Sequence, residues 1–373
     1  MNERQFHDLV RDWLIAEAPS EAPDWILQAS TELTETMQRR SRSLGSRGLW
    51  QAATIAIVLG VLTAGAISLA ALLPRPPAPP PTPRTDLQQT LPLGGGRPVG
   101  VTALGNDLWF ADASLPGAVR IDRDTGERTA EVTTHARPPA RLDLHPLVSD
   151  IIAAFDSIWT VDEEFGTVTR IDDDTATVVA TVEVGGYPST AIAAAGSVWT
   201  LDAHLGSVTR IDPLTNATDS ITLPRSSAQG IGHIAGDDDT IWLAIDDEVL
   251  RIETATHVVE VVAQLPEQAS GLAVADAIWV STSQGIVRVE PATNQAAAPM
   301  AVGGDPGALA YLDGTIWVAD RRDGSVRAID PVTLTVLQTI EVGGGATDIG
   351  VLDATLFVLN QLDGTVSLLD AGG

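Results

Sequence analysis

A sevenfold internal repeat constrains this 373-residue chain more than any other feature. A small or polar residue, an aliphatic and an aromatic recur at Asp107-Leu108-Trp109, Ser157-Ile158-Trp159, Ser197-Val198-Trp199 and Thr240-Ile241-Trp242. The series continues with Ala277-Ile278-Trp279, Thr315-Ile316-Trp317 and Thr355-Leu356-Phe357. The intervals are 50, 40, 43, 37, 38 and 40 residues, the period of a four-stranded propeller blade. Each unit reads as an apolar inner strand, the Trp strand, a G-x-V-x-R-I-D strand and an outer strand. The predicted fold class is all-β, a seven-bladed β-propeller over residues 88–373.

Turn chemistry agrees. Asp212-Pro213-Leu214-Thr215 and Asp330-Pro331-Val332-Thr333 place Asp first and Pro second, as type I turns prefer. Glycine clusters at 94–96, 185–186, 303–304 and 343–345 mark the crossings from one outer strand to the next inner strand. The last unit ends without a fourth strand. Gln89-Thr90-Leu91-Pro92-Leu93-Gly94 matches Gln338-Thr339-Ile340-Glu341-Val342-Gly343, the outer strand of the sixth unit. The segment that opens the domain is therefore predicted to complete the last blade, which removes the open edges of the ring.

Units such as 196–218 (GSVWTLDAHLGSVTRIDPLTNAT) and 314–336 (GTIWVADRRDGSVRAIDPVTLTV) resemble the YVTN-type propeller repeat and the related repeats of the virginiamycin B lyase group. The lyase resemblance implies histidine and glutamate side chains around the channel mouth. With a magnesium ion, they open a cyclic depsipeptide by elimination. Where that group often has glutamate, this chain carries Asp112, Asp162, Asp202 and Asp320. No His/Glu constellation maps onto the units.

Ahead of the repeats, no charge occurs between Arg47 and Arg75. Residues 49–73 are apolar enough, and at about 1.5 Å per residue long enough, to predict a transmembrane helix. Arginines 39, 40, 42 and 47 precede it and Arg75 and Arg84 follow. The positive-inside rule then places residues 1–48 in the cytoplasm and the propeller outside. Residues 74–87 form a Pro-rich linker, which favours a stiff spacer. The stub 1–48 carries apolar stripes at helical spacing around Trp13 and Trp25. It is too short for an independent core, which predicts that the stripes pair with each other, with the membrane surface or with a cytoplasmic protein partner. Stub, single span and outer domain resemble the layout of membrane-bound anti-sigma factors. The zinc motif many of those carry is missing, because only His7 is present and cysteine is absent.

The formal charge is −27, and the 289 residues from 85 onward, with 41 acids and 14 arginines, account for all of it. Such a surface repels nucleic acid and anionic lipid. All 22 basic residues are arginine.

Because the repeats recur around a ring, a single site should lie where they break. Arg120, Arg170, Arg210, Arg251 and Arg288 recur and read as structural. Asp112, Asp162, Asp202 and Asp320 start turns, yet a circle of carboxylates could hold a Mg²⁺ or Ca²⁺ ion. His233 and Asp348 are the ionisable residues at an inner-strand position held elsewhere by Gly100, Ile151, Ala191, Gly271 and Ala308. The first unit is extended by 132–148 (VTTHARPPARLDLHPLV), where His135, Arg137, Arg141 and His145 form a local basic stretch. Long loops on rigid scaffolds are common recognition elements. The leading functional expectation is a membrane-tethered, extracytoplasmic ligand- or protein-binding and sensing module. A lyase-like enzyme at the hub and a scaffold propeller are the alternatives.

Overall fold

The computed structural model describes residues 85–371, apart from 95, 114, 136–147, 225, 226 and 228–230. The stub, the 49–73 span, most of the 74–87 linker, Arg137, Arg141 and His145 lie outside the described residues. Among the described residues, no helix is long and apolar enough to cross a membrane.

Seven four-stranded antiparallel sheets account for every strand described. Blades 1 to 6 cover 98–133, 150–183, 190–222, 232–264, 269–296 and 306–341, and within each the strands follow chain order. Blade 7 takes three strands from 346–370 and its outermost from Asp86–Pro92. That last strand pairs with Thr365–Asp370, with Leu91 opposite Val366 and Pro92 opposite Thr365. The chain thus closes its ring with the segment that the sequence match marks. Proline is tolerated there because an outermost strand has one unpaired side.

In the second strands nearly every residue is buried, because both faces meet a neighbouring blade, whereas outer strands bury little. The core is accordingly split into clusters between consecutive blades. Trp199, Leu201 and Val208 of blade 3 pack with Ile241, Leu243 and Leu250 of blade 4. Leu91 and Leu93 join Phe110, Val119, Phe357 and Leu359 between blades 1 and 7. Closure therefore buries apolar surface as well as pairing an edge.

The repeated arginines hold blades together. Arg120 and Arg170 lie over Trp109 and Trp159, 5.6 and 5.2 Å from the ring centroids. Their guanidinium groups donate to the carbonyls of Asp173 and Pro213 in the next blade's turn, each at 2.6 Å. Arg251 instead pairs with Glu260 at 2.6 Å, and Arg288 lies 3.3 Å from Glu290.

Candidate functional site at the propeller hub

The inner strands surround a channel of about 590 Å³. Aliphatic residues (Val99, Val101, Ile151, Ile349) and hydroxyls (Thr102, Ser149, Ser189, Thr190) make up much of its wall. His233, Asp348 and a third ionisable residue, Asp150, also line it, and among the described residues no arginine does.

Asp348 and Asp150 come from blades 7 and 2 and meet across blade 1. The Val101 N–H of blade 1 donates to Asp348 Oδ2 at 3.2 Å. A Cβ on Gly100 would stand 3.2 Å from Asp150 Oδ1, so the glycine gives the carboxylate room. On the far side, Asp150 Oδ2 accepts the Ala191 N–H at 2.9 Å and the Thr190 hydroxyl at 2.8 Å from blade 3. Its Oδ1 accepts the Ile151 N–H at 2.8 Å. Burial raises the Asp150 pKa, and its three donors only partly oppose that push. Asp348 has fewer; burial, and then the charge of Asp150, push its pKa up to about 7. Burial lowers that of His233 to about 4, against a hydrogen bond to the Ala269 backbone that favours the cation. At neutral pH the hub therefore holds a neutral imidazole and two carboxylates whose protonated forms burial favours.

Asp150 escaped the sequence reading because the repeats, aligned by sequence, put Ile151 in its slot. Strand pairing sets Asp150 opposite Val161, two residues past Trp159, as Asp348 is opposite Leu359 and His233 opposite Ala244. Asp150 and Ile151 occupy successive positions of one strand, and the channel is lined by both.

The turn aspartates serve a different purpose. Asp202 Oδ1 accepts the Leu205 N–H at 2.8 Å, the turn bond expected of a turn-starting residue, while Oδ2 accepts the Tyr187 N–H of the incoming crossing at 2.7 Å. Asp320 does the same with Asp323 and Asp305 and also pairs with the buried Arg327. Burial raises the Asp320 pKa, but its hydrogen bonds, from the Asp323 N–H, the Arg327 side chain and the Asp305 and Arg322 N–H groups, outweigh this and hold it low. Asp112 accepts the Arg97 N–H at 3.1 Å. Glycine is required at these crossings. A Cβ on Gly186 would lie 2.0 Å from Asp202 Oδ2, and one on Gly304 would lie 1.5 Å from Asp320 Oδ2.

These carboxylates are each engaged at their own blade boundary. Among the described residues, no group of three or more His, Asp or Glu side chains is placed to hold a metal ion. The magnesium site implied by the lyase resemblance does not fit the hub residues, where two carboxylates converge without a third ligand.

Asp162 and His135 form a cluster of their own. Asp162 is fully buried, 3.7 Å from His135 Nδ1, and His135 stacks on Phe165 at 4.1 Å. Thr167 Oγ1 stands 3.3 Å from His135 Nε2. That order of hydroxyl, imidazole and carboxylate matches a nucleophilic triad in outline, but Thr167 is only 2% exposed, too little for a substrate to reach it.

The solved structures that match place the fold. Virginiamycin B lyase from Staphylococcus aureus aligns at 14% identity with a TM-score of 0.61, over 77% of this chain and 99% of the lyase. A streptogramin B lyase aligns at 15% identity and 0.62, over 76% and 97%. The fold is that of the streptogramin B lyases. Kuenenia stuttgartiensis hydrazine synthase also matches, at 14% identity and 0.60 over 74% and 96%, so the lyase fold is shared by proteins of different names. No protein-family model and no curated protein sequence matches the chain.

Proposed function

We propose that the chain is a membrane-tethered, extracytoplasmic binding module that takes a positively charged ligand group into its hub. One observation carries this reading. Two carboxylates from different blades converge on a channel of about 590 Å³ whose lining, among the described residues, includes no arginine. A buried acid pair without a counter-ion is costly, and an ammonium, a guanidinium or a divalent cation would relieve that cost. The aliphatic wall favours an organic cation over a hydrated metal ion. The apolar run 49–73 and the arginines before it support the tether and its orientation.

The test is calorimetric titration of the full chain in detergent with butylammonium, agmatine, Mg²⁺ and Ca²⁺. The reading expects at least one cation to bind, with loss of binding in Asp150→Asn and Asp348→Asn. Absence of binding by all four, or binding that survives both substitutions, would leave a scaffold role.

An elimination reaction at the same hub is a second reading, favoured by His233. Its neutral imidazole lines the same channel as the two carboxylates, which supplies the residue types of acid–base chemistry. Incubation with virginiamycin B, the compound named in the Staphylococcus lyase, tests it. Ring opening that disappears in His233→Gln would support the reading, and an intact ring would end it.

A further inference from the structure

The joint between blades 6 and 7 departs from the arginine pattern. In blades 1 and 2 an arginine stands opposite the tryptophan of the second strand, and the outer strand sets an alanine beside that arginine. The sets are Trp109, Arg120, Ala130 and Trp159, Arg170, Ala180. Blade 6 reverses the sizes. Ala328 stands opposite Trp317, and Gln338 takes the outer-strand place. This position therefore lacks the guanidinium with which Arg120 and Arg170 reach the carbonyls of Asp173 and Pro213 in the next blade's turn.

The end of the linker occupies the gap. Thr85 immediately precedes the closing strand and is 2% exposed. Its N–H donates to Gln338 Oε1 at 3.2 Å, and its carbonyl accepts from Gln338 Nε2 at 2.6 Å. A primary amide presents an acceptor and donors side by side, so one glutamine pairs with both main-chain groups of one residue, as a neighbouring strand would. Thr85 lines the gap with Trp317, Ala328 and Ala371, and Ala371 follows Asp370 as Pro213 follows Asp212. The cavity left is about 20 Å³. By contrast, the cleft lined by Arg170 and Pro213 between blades 2 and 3 is about 790 Å³.

We infer that the joint between blades 6 and 7 is a docking slot for the linker, in which extended main chain held by Gln338 replaces the arginine bridge of blades 1 and 2. Slot and bridge are alternatives, because both need the space between Trp317 and Ala371. Gln338 reads main-chain groups alone, so the slot selects an extended backbone rather than a particular side chain.

Docking here fixes where the chain enters the ring. Asp86 faces Asp370 at one end of the closing strand, and Pro92 faces Thr365 at the other, from which the chain crosses to blade 1. The linker thus joins on the face of the turns that follow the third strands, opposite the crossings. Asp150 begins its strand directly after a crossing, so the channel mouth nearest this hub carboxylate lies on the face away from the entry point.

Amide hydrogen exchange of the threonine-labelled full chain in detergent tests the slot, with the Thr85 signal identified by its loss in Thr85→Ser. Thr85 should exchange at least about tenfold faster in Gln338→Ala than in wild type, while the central-strand amides of Thr160 and Thr200 keep their rates. Ala328→Arg, which restores a bridging guanidinium, should release Thr85 in the same way. Equal Thr85 exchange in wild type and Gln338→Ala would overturn the slot, and so would a Thr85 that stays protected in Ala328→Arg. If Ala328→Arg does not fold with two long side chains at the joint, Ala328→Arg/Gln338→Ala recreates the Arg170–Ala180 pair and decides instead. That double variant should melt above Gln338→Ala, and an equal or lower melting temperature would show that bridge and slot are not alternatives.

Discussion

Asp348 of the last blade is held by the Val101 N–H of the first at 3.2 Å, and the charge of Asp150 in the second blade presses on it from the other side. Residues 247 positions apart thus become neighbours only because the ring closes. This contact gives the hub its titratable character and ties any ligand chemistry there to pH.

Cation affinity at the hub should follow the ionisation of Asp348. With its pKa at about 7, the competent form shrinks about tenfold for each pH unit below that value, and the apparent affinity falls with it. Calorimetry of butylammonium binding between pH 5 and 8 checks this. The dependence should flatten in Asp348→Asn, whatever affinity remains.

Stability should carry two opposed pH terms. Asp348 has a folded pKa raised from 3.8 to about 7, so its contribution is full in acid and is lost as pH rises through that window. His233 has a folded pKa lowered from 6.5 to about 4. The unfolded chain therefore binds more protons in that range, and stability falls on acidification from about pH 6.5 towards 4. Thermal unfolding of Asp348→Asn should show midpoints that rise with pH relative to wild type. His233→Gln should show the reverse tilt.

The closing strand should dominate the stability of the seventh blade. Leu91 is 2% exposed and packs in the cluster between blades 1 and 7. Leu91→Ala should cost about 2–5 kcal/mol, the range for large-to-small substitutions in a packed core. Leu87→Ala, at a 40% exposed position of the same strand, should cost about 0.5 kcal/mol or less. Denaturant unfolding of the two variants gives the comparison.

Gly304 and Gly314 separate space from backbone strain. Both have positive φ, 66° and 77°, but a Cβ at Gly304 collides with the Asp320 carboxylate whereas nothing lies within 4 Å at Gly314. Gly314→Ala should cost about 1 kcal/mol from the left-handed conformation. Gly304→Ala should cost about 3 kcal/mol or more, since it also breaks the buried Asp320–Arg327 pair. Equal losses in the two variants would show that the crossing yields easily.

Much of the fold was legible because its signals are local. The Trp strands recur at a blade-length period, and the Asp-Pro turns carry their own geometry. Even the closing strand was readable, since Gln89–Gly94 matches Gln338–Gly343 in residue type at every position but Pro92. The site was legible only in part. His233 and Asp348 stand out against the aligned positions of other units, but local sequence put Ile151 in the slot that strand pairing gives to Asp150. The turn role of Asp202 follows from its place before Leu205, while its bond to Tyr187 crosses a blade boundary that no local pattern records.

By itself the sequence determined the number of blades, the strand order within each and the strand that completes the ring. Each of these depends on periodicity, turn residues and self-similarity along the chain. Tertiary structure alone decided which carboxylates meet. Asp150 and Asp348 converge while Asp112, Asp202 and Asp320 are each taken up by a crossing loop, and His135 comes to face Asp162. The physical reason is that electrostatic coupling and burial depend on distances between blades. A repeat that is nearly uniform along the chain carries no record of those distances until the ring is closed.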